Sequence, residues 1–399
     1  MTVISVLLAG LGGAAFAGPP QVLPSGALLT PTAVAGAEFQ RLNPHLADFP
    51  NDTAGQAVNT AISPDGKTLL ILTSGFNLLS GKDGKIIPAD SREYVFVEDI
   101  SAGRPVQRQA LQVPDTYIGL AFAPDGRHFY VSGGVDDDVH VFALADGSWR
   151  EDGPPIALGH LQGVDPKSRI NKGGSGLDVQ PETAGIALTA DGKTLVADNF
   201  YNDSLAVVDL ARRAVTDVPL RPGDIDKRET GKPGGEYPFE VAVRGNGTAY
   251  VSSLRDREID VVTLNGAPHL TARIKLHGNP LSLKLNAAGT RLYVTCDNSD
   301  DVAVIDTADN RVLRTIRTIA PPAMLGDAEH YRGVGPNNLV LSPDQKTLYV
   351  TNGGTNTLAV ISLGPHPAVR GLIPTGYYPE AVSVSADGKF LYVVNGKSI

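Results

Sequence analysis

Along most of this chain apolar and polar positions alternate in runs of about five or six residues, each broken by a short turn rich in Gly, Asp or Asn. Alternation turns one face of each run inward, as a half-buried β-strand requires. One unit recurs seven times: an alternating run, a tight turn, then a second run that ends in Tyr-Val-Ser, Tyr-Val-Thr or a variant. The turns are Ser63-Pro64-Asp65-Gly66, Ala123-Pro124-Asp125-Gly126, Ala190-Asp191-Gly192, Gly245-Asn246-Gly247, Ala287-Ala288-Gly289, Pro343-Asp344-Gln345 and Ala386-Asp387-Gly388. Asp-Gly and Asn-Gly supply the positive-φ positions that a hairpin needs. Six copies are followed by a third run, at residues 94–98, 139–142, 205–209, 259–262, 302–306 and 358–362, and then by a weaker fourth such as 312–316. Seven units of four antiparallel strands predict an all-β chain, a seven-bladed β-propeller. A β-sandwich would not repeat one hairpin seven times.

Tyr349-Val350-Thr351-Asn352 spells the YVTN signature, and the other six copies are variants of it. The chain resembles the YVTN-repeat, YncE-like β-propellers over residues 30–399. The first long loop, Thr73-Ser74-Gly75-Phe76-Asn77, with Glu93-Tyr94-Val95-Phe96-Val97 after it, is similar to one subgroup in particular. In that subgroup an exported propeller is fused to a phosphoesterase of the alkaline-phosphatase superfamily, so the resemblance implies either a fragment whose catalytic domain lies beyond residue 399 or an independent propeller closed by its N-terminal segment. The repeat itself is a hairpin and carries no chemistry.

Composition narrows the function. The net charge is −9, so no nucleic-acid partner is expected, because phosphate binding needs clustered Lys and Arg. Cys296 is the single cysteine, which excludes an internal disulfide and any CxxC metal or haem site. Residues 3–16 are largely apolar and Ala15-Phe16-Ala17 has the small-x-small form of a cleavage site, so residues 1–17 read as a signal peptide. That predicts a periplasmic or secreted, monomeric protein with no membrane span. Residues 18–52 form an N-terminal segment and residues 53–399 the propeller. Blade seven has only two runs before the sequence ends, so a segment at 27–30 or 39–42 is expected to close the ring by pairing beside residues 390–394.

Four insertions, at residues 76–92, 148–182, 221–237 and 319–335, fall on the face where the inner strands begin. Long loops on a rigid scaffold are where binding residues concentrate. Aligning the repeats puts Glu240, Asn337 and Glu380 at equivalent positions at the start of the inner strand, with Gln56, Glu182 and Asn279 within two residues of them. These line the expected channel mouth, and His277 lies on the same face. No cofactor is required; a divalent cation held by the carboxylates is one option for such a ring, and a wetted channel another. The acidic turns Asp136-Asp137-Asp138 and Asp297 to Asp301 read as solvated. Trp149 either stacks a ligand on the rim or anchors its own loop, and Cys296 reads as an inert buried thiol. Gly66-Lys67-Thr68 and its two look-alikes lack the upstream glycine of a phosphate-binding loop.

Two functional classes remain. One is a non-catalytic scaffold that binds a small polar ligand or a protein partner at the insertion-rich face. The other is a hydrolase resembling the propeller lactonases, with Glu240, Glu380 and His277 as its working groups. No catalytic set is complete in this stretch, which favours the scaffold.

Overall fold

The computed structural model describes residues 21–22, 28–29, 36–75, 77–160, 181–320 and 332–397. The first blade comprises Ala57–Ile62, Thr68–Thr73, Glu93–Asp99 and Val106–Val113, paired in that order and antiparallel throughout. Five more blades follow the same order, with inner strands Leu120–Phe122, Thr183–Leu188, Pro238–Arg244, Pro280–Leu285 and Pro336–Leu341. A seventh sheet holds Pro379–Val384 and Leu391–Asn395. Each inner strand packs against the next, and Pro379–Val384 packs against Ala57–Ile62, so the seven sheets form one closed ring.

The turn sequence explains why the hairpin recurs. Ser63, Thr189, Ser342 and Ser385 each donate a hydroxyl to the Asp two residues on, at 2.6–2.7 Å. The same Asp accepts the backbone N–H of the lysine that follows, at 3.1 Å in all four copies. Between them sits a residue at positive φ, Gly66 at +72° in the first copy and Gln345 at +60° in the sixth. An Asx-type turn of this kind is specified by about six consecutive residues, so it needs nothing from the rest of the fold.

The second strand of each of the first five blades is buried on both faces, and apolar clusters fill the space between neighbouring blades. Between blades one and two, Phe129 stacks on Phe142 with centroids 4.7 Å apart and lies 4.9 Å from Trp149. Trp149 is therefore a buried anchor and presents no surface at the rim; Gln109 bonds both its N–H and its carbonyl.

Ring closure differs from the expected latch. Leu28–Leu29 pairs with Gln21–Val22, residues 39–42 form no strand, and among the described residues Leu391–Asn395 pairs with Pro379–Val384 alone. Leu42 instead lies flat on the cluster of Leu69, Phe96, Ala381, Tyr392 and Val394 that joins blades seven and one. Its carbonyl accepts from Ala54 at 2.8 Å, and Gln107 holds the carbonyl of Asn43 at 2.7 Å. Burying one leucine on a sheet face needs no free strand edge, so the segment meets the already closed ring by packing. Tyr392 adds a bond to the Gly103 carbonyl at 2.7 Å, and the hydroxyls of Thr60 and Ser383 meet at 2.8 Å. Among the described residues no helix is long and apolar enough to cross a membrane. The expected signal peptide lies outside the described residues.

Candidate functional site: the mouth of the channel

The rim loops are held by a device that recurs from blade to blade. The residue just before the third strand adopts a left-handed conformation: Asp137 at φ 58°, Asp203 at 52°, Asp300 at 57° and Asn356 at 55°. Asp and Asn tolerate that region better than other L-residues. Each side chain accepts backbone N–H groups from the connection to the next blade: His160 at 2.6 Å, Tyr237 at 2.9 Å, Gly333 and Val334 at 2.8 and 2.9 Å, and Tyr378 at 2.8 Å. The acidic turns are thus anchors, and the reading of Asp137 and Asp300 as solvated is corrected: both are buried, because their acceptors face loop amides and not water.

His160 completes the first anchor. Its Nδ1 lies 2.7 Å from Asp137 and its Nε2 3.4 Å from Asp217. Burial alone would lower its pKa, but the bonds and charges of the two aspartates outweigh burial and raise it to about 9. The linked stability is therefore fully present below the unfolded value near 6.5 and is lost as pH rises through about 9. His160→Gln should erase a fall in stability between about pH 7 and pH 10 that is worth on the order of 2–3 kcal/mol in the parent, measured by urea unfolding across that range. A parent profile as flat as that of the variant would refute the anchor.

Four carboxylates around the mouth share one property. Burial pushes Glu182 up to about 7, with the Asp115 charge adding to it. Glu240 reaches about 7 by burial, opposed by Lys284. Glu380 reaches about 7 by burial, opposed by the Asn337 amide and Lys397. Asp115 reaches about 6 by burial, opposed by the Thr116 N–H and helped by Asp136. Asn337 orients Glu380: its Nδ2 donates to Glu380 Oε2 at 3.1 Å and to the Pro379 carbonyl at 2.9 Å, while Thr351 donates to its Oδ1 at 2.5 Å.

Beside the carboxylates stands an aromatic wall that the sequence reading missed. Phe200 stacks on Tyr237 at 5.0 Å, and Tyr117 meets Phe200 and Phe239 edge-on at 6.0 and 5.7 Å. Tyr201 packs against Phe200 at 4.9 Å and is 41% exposed, so the wall has an open face. Glu182 acts on the phenols of both Tyr117 and Tyr201, and Glu380 acts on Tyr117, so the wall and the carboxylates share one space. A signal for part of it was present: Tyr237-Pro238-Phe239-Glu240 and Tyr378-Pro379-Glu380 repeat, and both tyrosines sit at φ +58°.

The other expected residues part company with this group. Gln56 turns toward Gly75, where a Cβ would lie 1.5 Å from its Oε1. Asn279 is tied to its own blade, its N–H donating to Asn298 at 2.8 Å. His277 lines a recess with Lys275 of blade four and Cys296, Asp301, Val312 and Thr315 of blade five, and neither Glu240 nor Glu380 borders that recess. Sharing a face does not fix distance from the axis, and the His277 charge acts on Asp301 of the same recess. Among the described residues no group of three or more His, Cys, Asp or Glu side chains is placed to hold a metal ion. The mouth can therefore exchange protons near neutral pH and offers flat apolar faces beside the carboxylates.

A family model described as "Lactonase, 7-bladed beta-propeller" matches residues 282–399. YncE of Salmonella typhimurium is 30% identical over 113 residues, 28% of this chain and 28% of that protein. The seven-bladed β-propeller protein Rv1057 of Mycobacterium tuberculosis is 30% identical over 140 residues, 32% of each. These matches thus span about a third or less of the length of either relative. Among solved structures, the periplasmic gluconolactonase PpgL of Pseudomonas aeruginosa superposes with a TM-score of 0.59 at 18% identity, covering 86% of this chain and 89% of that one. Virginiamycin B lyase of Staphylococcus aureus superposes with a TM-score of 0.58 at 12% identity, covering 90% and 96%. At those identities the likeness is one of fold. In its YVTN repeat and its four-stranded blades in a closed ring the chain is a β-propeller similar to the YncE-like proteins, which match parts of it.

Proposed function

We propose that this propeller is an exported binding scaffold whose channel mouth takes a small polar organic ligand. The observation that carries the reading is the convergence of Tyr117, Phe200, Tyr201 and Tyr237 with Glu182 and Glu380 at one end of the ring. Rigid aromatic faces beside a few polar groups are the usual composition of a small-molecule site. Export rests on the apolar residues 3–16 and the Ala15-Phe16-Ala17 site. Presentation of a substrate to a fused phosphoesterase belongs to the same reading and rests on the resemblance alone.

Ligand-observed NMR against a set of lactones, polyols and amines tests it, with Tyr201→Ala and Glu380→Gln as mouth variants. Hits should weaken at least about tenfold in one variant, the loss of one good contact of about 1.4 kcal/mol. Hits that ignore both variants, or that protect amides only outside the mouth, overturn the reading. The family match over residues 282–399 supports a second reading, lactone hydrolysis at the same mouth. Turnover of glucono-δ-lactone that is lost in Glu380→Gln would establish it.

A further inference from the structure

A recess of about 210 Å³ opens between blades two and three. Tyr130, Val141 and Ile156 of blade two and Leu210 of blade three line it, and the exposed side chains of Asp152 and Arg213 border it. Leu210 and Arg213 belong to the turn between the third and fourth strands of blade three, on the face opposite the mouth. The connection from His160 to Glu182 leaves and re-enters the ring on the mouth face.

The repeat shows why space is left there. Tyr130, Tyr250 and Tyr392 hold one place in the second strand of their blades. Tyr250 bridges to blade five, its hydroxyl 3.3 Å from the Thr307 carbonyl and 3.2 Å from Asn310 Oδ1. Tyr392 bridges to blade one in the same way, donating to the Gly103 carbonyl at 2.7 Å. Blade three has Leu210 and Arg213 where blade five has Thr307 and Asn310, and among the described residues the Tyr130 hydroxyl makes no hydrogen bond. Arg213 sits at φ 53° and Asn310 at 52°, a conformation that asparagine tolerates better than arginine. The arginine reaches aside to the Pro154 carbonyl, so the bridge that joins blades four and five is replaced by an open recess.

The charges around it are not matched to each other. Among the described residues the Asp152 carboxylate has no hydrogen bond or ion pair, and the Arg213 guanidinium has only the Pro154 carbonyl. His128, which also borders the recess, is taken by Asp125 at 2.8 Å. One cation and one anion are thus held apart beside an apolar lining.

We infer that this recess binds a small zwitterion of the α-amino-acid type, its carboxylate on Arg213, its ammonium on Asp152 and a branched apolar side chain over Val141, Ile156 and Leu210. The site is separate from the mouth and does not depend on the reading given for it. A guanidinium offers parallel N–H donors that fit a carboxylate. A simple acid would meet Asp152 as a like charge, and a simple amine would meet Arg213 in the same way. The recess is smaller than the roughly 300 Å³ at which drug-sized sites begin, which limits the guest to a few heavy atoms.

L-Leucine, 4-methylpentanoate and 3-methylbutylammonium share one apolar body and differ in their charged groups, so they are the probes. Titration calorimetry with the full chain at pH 7.5 should show leucine binding at least about tenfold more tightly than either analogue. Arg213→Asn copies Asn310 and suits the left-handed turn; it should weaken leucine at least about tenfold without weakening 3-methylbutylammonium. Asp152→Asn should weaken leucine by a similar factor without weakening 4-methylpentanoate. Both side chains are exposed, so the variants should keep the unfolding midpoint of the parent, and the retained analogue in each case reports an intact recess. Amide chemical shifts at residues 128–130, 152–156 and 210–213 should move with leucine. Leucine binding no tighter than either analogue, or a preference that survives either variant, overturns the zwitterion assignment. Shifts confined to other residues, or no binding at about 10 mM leucine, overturn the site itself.

Discussion

Asp300→Ala should destabilise the propeller by about 2–4 kcal/mol, more than any other change to the rim anchors. Asp300 Oδ2 accepts the N–H of Gly333 at 2.8 Å, and its Oδ1 accepts those of Val334 and Gly335 at 2.9 and 3.3 Å. The side chain is almost wholly buried, so alanine would leave these donors without an acceptor. Each buried orphan costs about 1–3 kcal/mol, reduced where water can enter the space left by the carboxylate. Alanine must also hold φ near +57°, a further cost of about 1 kcal/mol that aspartate partly avoids. Asp300→Asn keeps one carbonyl oxygen and the tolerance for that conformation, so it should lose less than half as much. Urea unfolding gives the size, and amide exchange of residues 333–335 gives the place. A loss below about 1 kcal/mol, or unchanged exchange there, would show that the loop is held by something else.

Gly185→Val should be comparably severe through a different mechanism. A Cβ at Gly185 would lie 2.6 Å from Glu240 Cα and 2.7 Å from the Phe239 carbonyl oxygen. Both belong to the inner strand of the next blade, Pro238–Arg244, whose ladder to Thr248–Ser253 prevents a simple retreat. Blades three and four must therefore separate, at a cost of about 2–4 kcal/mol for overpacking of this kind. The movement carries Phe239 and Glu240 with it, so ligand binding at the mouth should fall in the protein that remains folded. Gly364, which has nothing within 4 Å of its Cβ position, provides the control. Gly364→Ala should unfold within about 0.5 kcal/mol of the parent. A Gly185→Val protein as stable as that control would show that the blades approach less closely.

The hairpin was legible because its cause is local. Ser63, Asp65, Gly66 and Thr68 bond among themselves, so six residues declare this turn in four of the seven copies, and the remaining three are read from their turn glycines. Glu182, Glu240, Asn337 and Glu380 were found because their positions can be indexed from those turns. Tyr117, Phe200 and Phe239 were not, since the first two come from different connections and the third from an inner strand, and they meet only once the ring has closed. His277 borders a recess between blades four and five with Cys296 and Asp301, neighbours that strand direction alone does not reveal. The anchors Asp137, Asp203, Asp300 and Asn356 were present as a periodic Asp or Asn just before the third strand. Acidic residues in a turn look solvated until the amides they accept are known.

Those anchors bear on how such a protein can be altered. Asn356 holds Tyr378, which leads straight into Pro379, whereas Asp137 holds His160, far ahead of the inner strand at Thr183. One backbone amide captured at a fixed point serves connectors of very different length. The framework is thereby insulated from what is grafted downstream of the captured amide. Exchanging a rim segment between propellers of this kind should require only that the Asp or Asn and its amide be retained, which makes the mouth modular on a scaffold that need not be redesigned.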